Sequence, residues 1–124
     1  MSREPVFDVG KLFEIRCLEM QDGSCPVGDF LDALTADQRR RLDVIFEFFG
    51  QRGKIYNPEN FQELSNSIFE LRSRECRVLC FTHGRLVFLA HAVVQKRGKV
   101  APEEILTAEE RRRFYITQQV GGYE

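Results

Sequence analysis

Residues 86–94 read Leu-Val-Phe-Leu-Ala-His-Ala-Val-Val, so every position but His91 is apolar. A half-exposed strand would alternate, and an amphipathic helix would repeat its apolar residues every three or four positions. This run does neither. It reads as a central strand covered on both faces, and the rest of the chain has to supply its neighbours and its covers.

Candidates for both are present. Phe13 to Met20 alternates, with Phe13, Ile15 and Cys17 set against Glu14, Arg16 and Leu18, and reads as a first strand. Ile68–Arg74 and Cys76–Thr82 read as two more; in the latter, Cys76, Val78 and Cys80 share one face and Arg77, Leu79 and Phe81 the other. His83-Gly84 is the expected turn into the apolar strand. Pro26 suits the first position of a helix whose apolar face is Val27, Phe30, Leu31 and Leu34. Thr35 followed by Gln38 has the form of a capping box. It opens a second helix with Leu42, Ile45, Phe46 and Phe49 on one side, ending at Gly50 or Gly53. Turn formers between Lys54 and Ser67 mark a loop tacked down by Phe61 and Leu64. A last helix opens at Pro102, with Ile105, Ala108, Arg112 and Tyr115 or Ile116 on one side. The expected class is α+β: an N-terminal strand, a helical hairpin, a three-strand antiparallel meander and a C-terminal helix. At 124 residues one domain, 1–124, is expected, with residues 1–10 as a loose leader.

Formal net charge is −1, which says nothing about partners, but its distribution does. Arg72 to Lys99 holds seven Lys/Arg and one acid, Glu75, a net of about +6; the remainder carries eleven basic and eighteen acidic residues. A neutral chain with one concentrated positive segment can carry a local site for a polyanion. The four cysteines (Cys17, Cys25, Cys76 and Cys80) include no Cys-x-x-Cys pair, and only two histidines accompany them, so no metal site or cofactor is expected. Free thiols in a reducing cytoplasm are the expectation for all four. The N-terminus lacks the basic and apolar regions of a signal peptide, and no apolar run is long enough to span a membrane.

The element order and several residue groups resemble the RelE/ParE toxin superfamily, nearest its HigB-like branch. Glu70-Leu71-Arg72 followed by Arg77-Val78-Leu79 is similar to the Glu-Leu-Arg and Arg-aliphatic pair on successive strands of HigB-like members. The strand through Phe88-Leu89 and His91 runs into a basic dipeptide, here Lys96-Arg97, with Gln95 where such members carry the first of two lysines. Lys99, Pro102, Ile105, Ala108 and Arg112 resemble the opening of the family's closing helix. The resemblance is best over residues 68–115. It implies a cytoplasmic mRNA interferase that cleaves messenger RNA on the ribosome and is held by a cognate antitoxin, usually a helix-turn-helix protein. The same fold also carries inhibitors of DNA gyrase that cleave nothing, and a decayed phage-borne homologue would only bind RNA or protein.

Cleaving RNA by attack of a 2′-hydroxyl on its own phosphate needs a proton acceptor, donors for the charge on the phosphorane, and a proton for the leaving oxygen. Arginine suits the second task, because its planar fork pairs two phosphate oxygens and keeps its charge. The resemblance places Arg77 and Arg97 as phosphate binders. With Lys96 they converge on one phosphate if their strands are antiparallel neighbours. The competing reading pairs Arg77 with Glu70 or Glu75 across the sheet. His91 is a core histidine or a proton carrier. Arg72, Arg74, Lys99 and Tyr115 are candidate RNA contacts; Arg72 alternatively pairs with Glu70, and Tyr115 alternatively packs on the sheet. Arg39-Arg40-Arg41 and Arg111-Arg112-Arg113 read as salt-laced helix faces, with contact to ribosomal RNA as the alternative for either cluster.

Overall fold

The computed structural model describes residues 6–121. In chain order the elements are β1 (Val6–Val9), β2 (Glu14–Cys17), α1 (Pro26–Asp32), α2 (Ala36–Arg52), β3 (Phe61–Glu63), β4 (Phe69–Ser73), β5 (Cys76–His83), β6 (Leu86–Val94) and α3 (Pro102–Gly121). The fold is α+β, as expected. All six strands join one sheet in the order β1-β2-β6-β5-β4-β3. The apolar run is β6, an inner strand with β5 antiparallel on one side and β2 parallel on the other.

Its two faces are covered by different helices. Val87 and Leu89 pack with Val78, Cys80 and Leu71 beneath α1 and α2, where Val27, Leu31, Leu42, Phe46 and Phe49 close the larger core. Phe88 and Ala90 face the other way with Leu79 and Phe81, under α3, which contributes Ala108, Ile105 and Tyr115. Burial on both sides explains why β6 shows no polar alternation. The capping box is formed: Thr35 Oγ1 accepts from the Gln38 N–H at 3.1 Å and Gln38 Oε1 from the Thr35 N–H at 3.0 Å. α1 and α2 follow each other closely, and each is pressed against the sheet, α1 on β6 and β2, α2 on β4 and β1. Phe61 packs into the larger core and Leu64 into the smaller one, as expected of the loop that holds them.

Four expectations are corrected. Of the leader expected over residues 1–10, residues 1–5 lie outside the described residues, and Val6–Val9 is a strand paired antiparallel with β2. The loop over 54–67 contains β3, a short edge strand on β4. The turn into β6 is Gly84-Arg85, since His83 still pairs with Leu86; Gly84 takes φ +61, which a glycine accepts without strain. Cys17 and Cys25 are not free thiols but are joined as a disulfide, because the start of α1 folds back over the end of β2 and brings their Cα atoms to 6.4 Å. Cys76 and Cys80 are free and buried. No helix among the described residues is long and apolar enough to cross a membrane.

Candidate nucleic-acid interface

The sheet register brings the basic segment together at one end of the molecule. Arg72 on β4 stands opposite Arg77 on β5, and Ser73 opposite Cys76, so the hairpin turns on two residues, Arg74-Glu75. Arg77 in turn stands opposite Val93 and Cys76 opposite Val94, which sets the end of β6 beside that turn. The Gln95 N–H donates to the Glu75 carbonyl at 2.8 Å and extends the pairing by one residue. The chain then leaves through Lys96-Arg97-Gly98, where Gly98 at φ +81 makes the bend toward α3.

Between the hairpin turn and this loop lies an open cleft of about 870 Å³, within the range of ligand sites. Arg72, Arg74, Arg77, Lys96 and Arg97 all line it, and among the described residues Glu59 and Glu75 are its only acids. Glu59 and Asn60 come from the turn before β3. They are fixed to β4 by Arg72, whose N–H donates to the Asn60 carbonyl at 3.0 Å and whose Nε donates to the Glu59 carbonyl at 3.2 Å. Asn60 returns a bond to the Arg72 carbonyl at 3.0 Å. Arg74, Lys96 and Arg97 make no ion pair among the described residues, so their charges are available to a ligand. Arg74 holds φ +57 without being a glycine, a backbone state that costs about 1 kcal/mol or more. The Gln38 side chain donates to Glu75 at 2.8 Å and, with its backbone and the cations Lys96 and Arg74, holds its carboxyl below the usual glutamate range.

Arg77 differs from the other four cations. It is 2% exposed, its Nε donates to the Gln95 carbonyl at 3.0 Å, and its Nη1 donates to the Gly98 carbonyl at 2.6 Å. Glu70, also 2% exposed, lies beneath it with Oε2 at 3.7 Å from Arg77 Nε. That oxygen has no hydrogen-bond partner. Arg77 therefore lines the cleft and also faces Glu70 across the hairpin.

Three of the sequence candidates lie elsewhere. A bulge at Ala90 shifts the register between Leu79 and Cys80, so His91 projects on the α3 side. There its Nε2 meets Glu104 Oε1 at 2.6 Å and its Nδ1 lies 3.4 Å from Arg111 Nη1, away from the cleft. Arg111 also donates to the Ala90 carbonyl at 2.7 Å, so it turns inward and is not part of a salt-laced face; burial pulls its pKa below the usual arginine value. Arg39, Arg40 and Arg41 do form such a face, with Asp37 and Asp43. Tyr115 packs on Phe88 at 4.5 Å between centroids and on Phe81 at 5.8 Å, and borders a separate groove between α3 and the β2–α1 loop. Lys99 is exposed beside the cleft without lining it, and its carbonyl accepts from the Gln95 side chain. Arg85, at the opposite end of β6, spends its guanidinium on the carbonyls of Gly10, Lys11 and Leu12.

Sequence reasoning missed Gln95, Glu59 and Asn60. Gln95 had a faint signal, a single polar residue between an apolar strand and a basic doublet. The other two sit in a turn-forming stretch whose position over the cleft depends on β3 pairing with β4. Among the described residues no group of three or more His, Cys, Asp or Glu is placed to hold a metal ion.

In comparison with known proteins, the family described as phage derived protein Gp49-like (DUF891) matches residues 29–113. That span runs from α1 to the middle of α3 and contains every residue lining the cleft. No curated protein matches the chain.

Proposed function

This chain belongs to the phage-derived Gp49-like family, a RelE-like and toxin-like family, and on that premise we propose that it is a toxin whose basic cleft binds messenger RNA and cleaves it. The observation that carries the reading is the convergence of Arg72, Arg74, Arg77, Lys96 and Arg97 on one open cleft from two turns of the sheet. Five cations gathered against two carboxylates repel one another, and a polyanion relieves that repulsion. Arginines at this density suit the equatorial oxygens of a phosphorane.

Proton transfer is served sparingly. The cleft offers the carboxylates of Glu59 and Glu75, and His91 is engaged elsewhere. A substrate already bent into an attacking geometry by the ribosome needs less from the enzyme, which favours cleavage of messenger RNA during translation over cleavage of free RNA. By the same family logic a cognate antitoxin covers the cleft until it is removed.

Cell-free translation of a reporter messenger followed by primer extension tests the proposal. The wild-type chain is expected to stop synthesis and leave cuts in codon register. Lys96→Ala/Arg97→Ala is expected to lose both effects while unfolding at the same temperature. Intact messenger, or a double variant as active as the wild type, overturns the reading. A second reading, inhibition of DNA gyrase by binding alone, is favoured by the absence of a histidine from the cleft. Cleavage complexes of gyrase with DNA, without cut messenger, select it.

A further inference from the structure

The proposed function leaves open how a buried arginine serves an exposed ligand. Arg77 is 2% exposed, whereas Lys96 and Arg97 stand in solvent. Two of its donors are already committed, to the carbonyls of Gln95 and Gly98. Gln95 Nε2 captures the next pair, donating to the carbonyls of Arg97 at 2.8 Å and Lys99 at 2.9 Å. Four of the five carbonyls from Gln95 to Lys99 are thus held by two side chains. A carbonyl oxygen facing a phosphate repels it, so tying these oxygens down leaves the segment's N–H groups and its cations Lys96, Arg97 and Lys99 as the charge a ligand meets.

We infer that Arg77 and Gln95 are positioning residues: they mould residues 95–99 into an anion-binding arm, and Arg77 acts on phosphate through that arm and not by touching it. The inference rests on the RNA-binding reading and assigns the phosphate contacts within it to Lys96, Arg97 and the backbone between them.

Arg77→Lys keeps the charge and loses the fork, and Gln95→Ala changes no charge and removes the second pair of bonds. Binding of a short fluorescein-labelled single-stranded oligoribonucleotide is measured for each across a salt series, alone and combined with Lys96→Ala/Arg97→Ala. Each single variant is expected to bind about tenfold more weakly, with the salt slope smaller by about 1.4, the amount for two phosphate contacts at about 0.7 each on a single strand. On the Lys96→Ala/Arg97→Ala background each should change affinity less than about twofold, because the arm they shape has already lost the two charges assigned to phosphate. Without RNA, the amide resonances of Lys96 to Lys99 should move in both variants while those of β4 remain. Additive losses, or full binding by Gln95→Ala, overturn the positioning role and leave the RNA reading standing. A wild-type chain that does not bind the oligonucleotide overturns both. Should Arg77→Lys fail to fold, half-buried Gln95→Ala decides alone.

Discussion

Replacing Glu70 by glutamine separates two accounts of the buried charges under the cleft. If Glu70 and Arg77 formed an anchoring ion pair, neutralising one partner would strand the other and cost about 3–5 kcal/mol. The geometry argues for much less. Nothing donates to Glu70 Oε2, the nearest Arg77 nitrogen is 3.7 Å away, and that nitrogen already serves the Gln95 carbonyl. Burial pushes the Glu70 carboxyl up from its ordinary value of 4.5, more strongly than Arg77 and Arg72 pull it down. A carboxyl that holds its proton more tightly when folded contributes stability that is complete below the unfolded value and is lost as pH rises through the raised one. Glutamine imitates the protonated form at every pH. Glu70→Gln is therefore expected to be neutral or stabilising by up to about 1 kcal/mol at pH 7, roughly 4 °C in melting temperature for a chain of this size. Its advantage over the wild type should shrink to nothing as pH falls below the ordinary glutamate value. Urea unfolding of both proteins from acid to neutral pH measures it. A loss of 3 kcal/mol or more at pH 7, or an advantage that grows toward acid, would refute the reasoning and make the ion pair the anchor of Arg77.

Two other substitutions give distinct signatures. Arg74→Gly relieves the φ +57 backbone and is expected to raise stability by about 0.5 kcal/mol, the strain released less the extra freedom of the unfolded glycine, while weakening RNA binding by the loss of one cation; stability and binding falling together would count against this. Gly10→Ala should cost about 2–3 kcal/mol in urea unfolding, since the added methyl meets the backbone of Gly50 and Gln51, where no side chain can turn aside.

Local signals carried much of the architecture. β6 has the bounds its apolar run marks out, Thr35 and Gln38 form the box their spacing describes, and α3 begins at Pro102. What escaped depends on distant partners. Val6–Val9 becomes a strand because β2 lies alongside, and three residues suffice for β3 because β4 offers an open edge. The site divides along the same line. Arg72, Arg74, Arg77, Lys96 and Arg97 meet because a hairpin and the next strand end are neighbours in sequence as well as in space. The contacts of His91 were hidden by one inserted residue: in a run where nearly everything is apolar, no pattern marks Ala90 as the bulge that moves the histidine from the face of Leu89 to the α3 face, where it meets Glu104. The burial of Arg77 escaped too, since composition cannot tell an arginine that meets solvent from one enclosed by a loop yet to be built.

The parallel contact between β2 and β6 orders events during synthesis. Residues 14–17 leave the ribosome early, but the edge they need, residues 86–89, is made some seventy residues later. Until then β2 has only β1 beside it and one edge open, while β4, β5 and β6 close through short local turns. A nascent chain therefore gains its complete sheet, and the Lys96-Arg97-Gly98 side of its cleft, only after the strand over residues 86–94 and the loop behind it have left the ribosome.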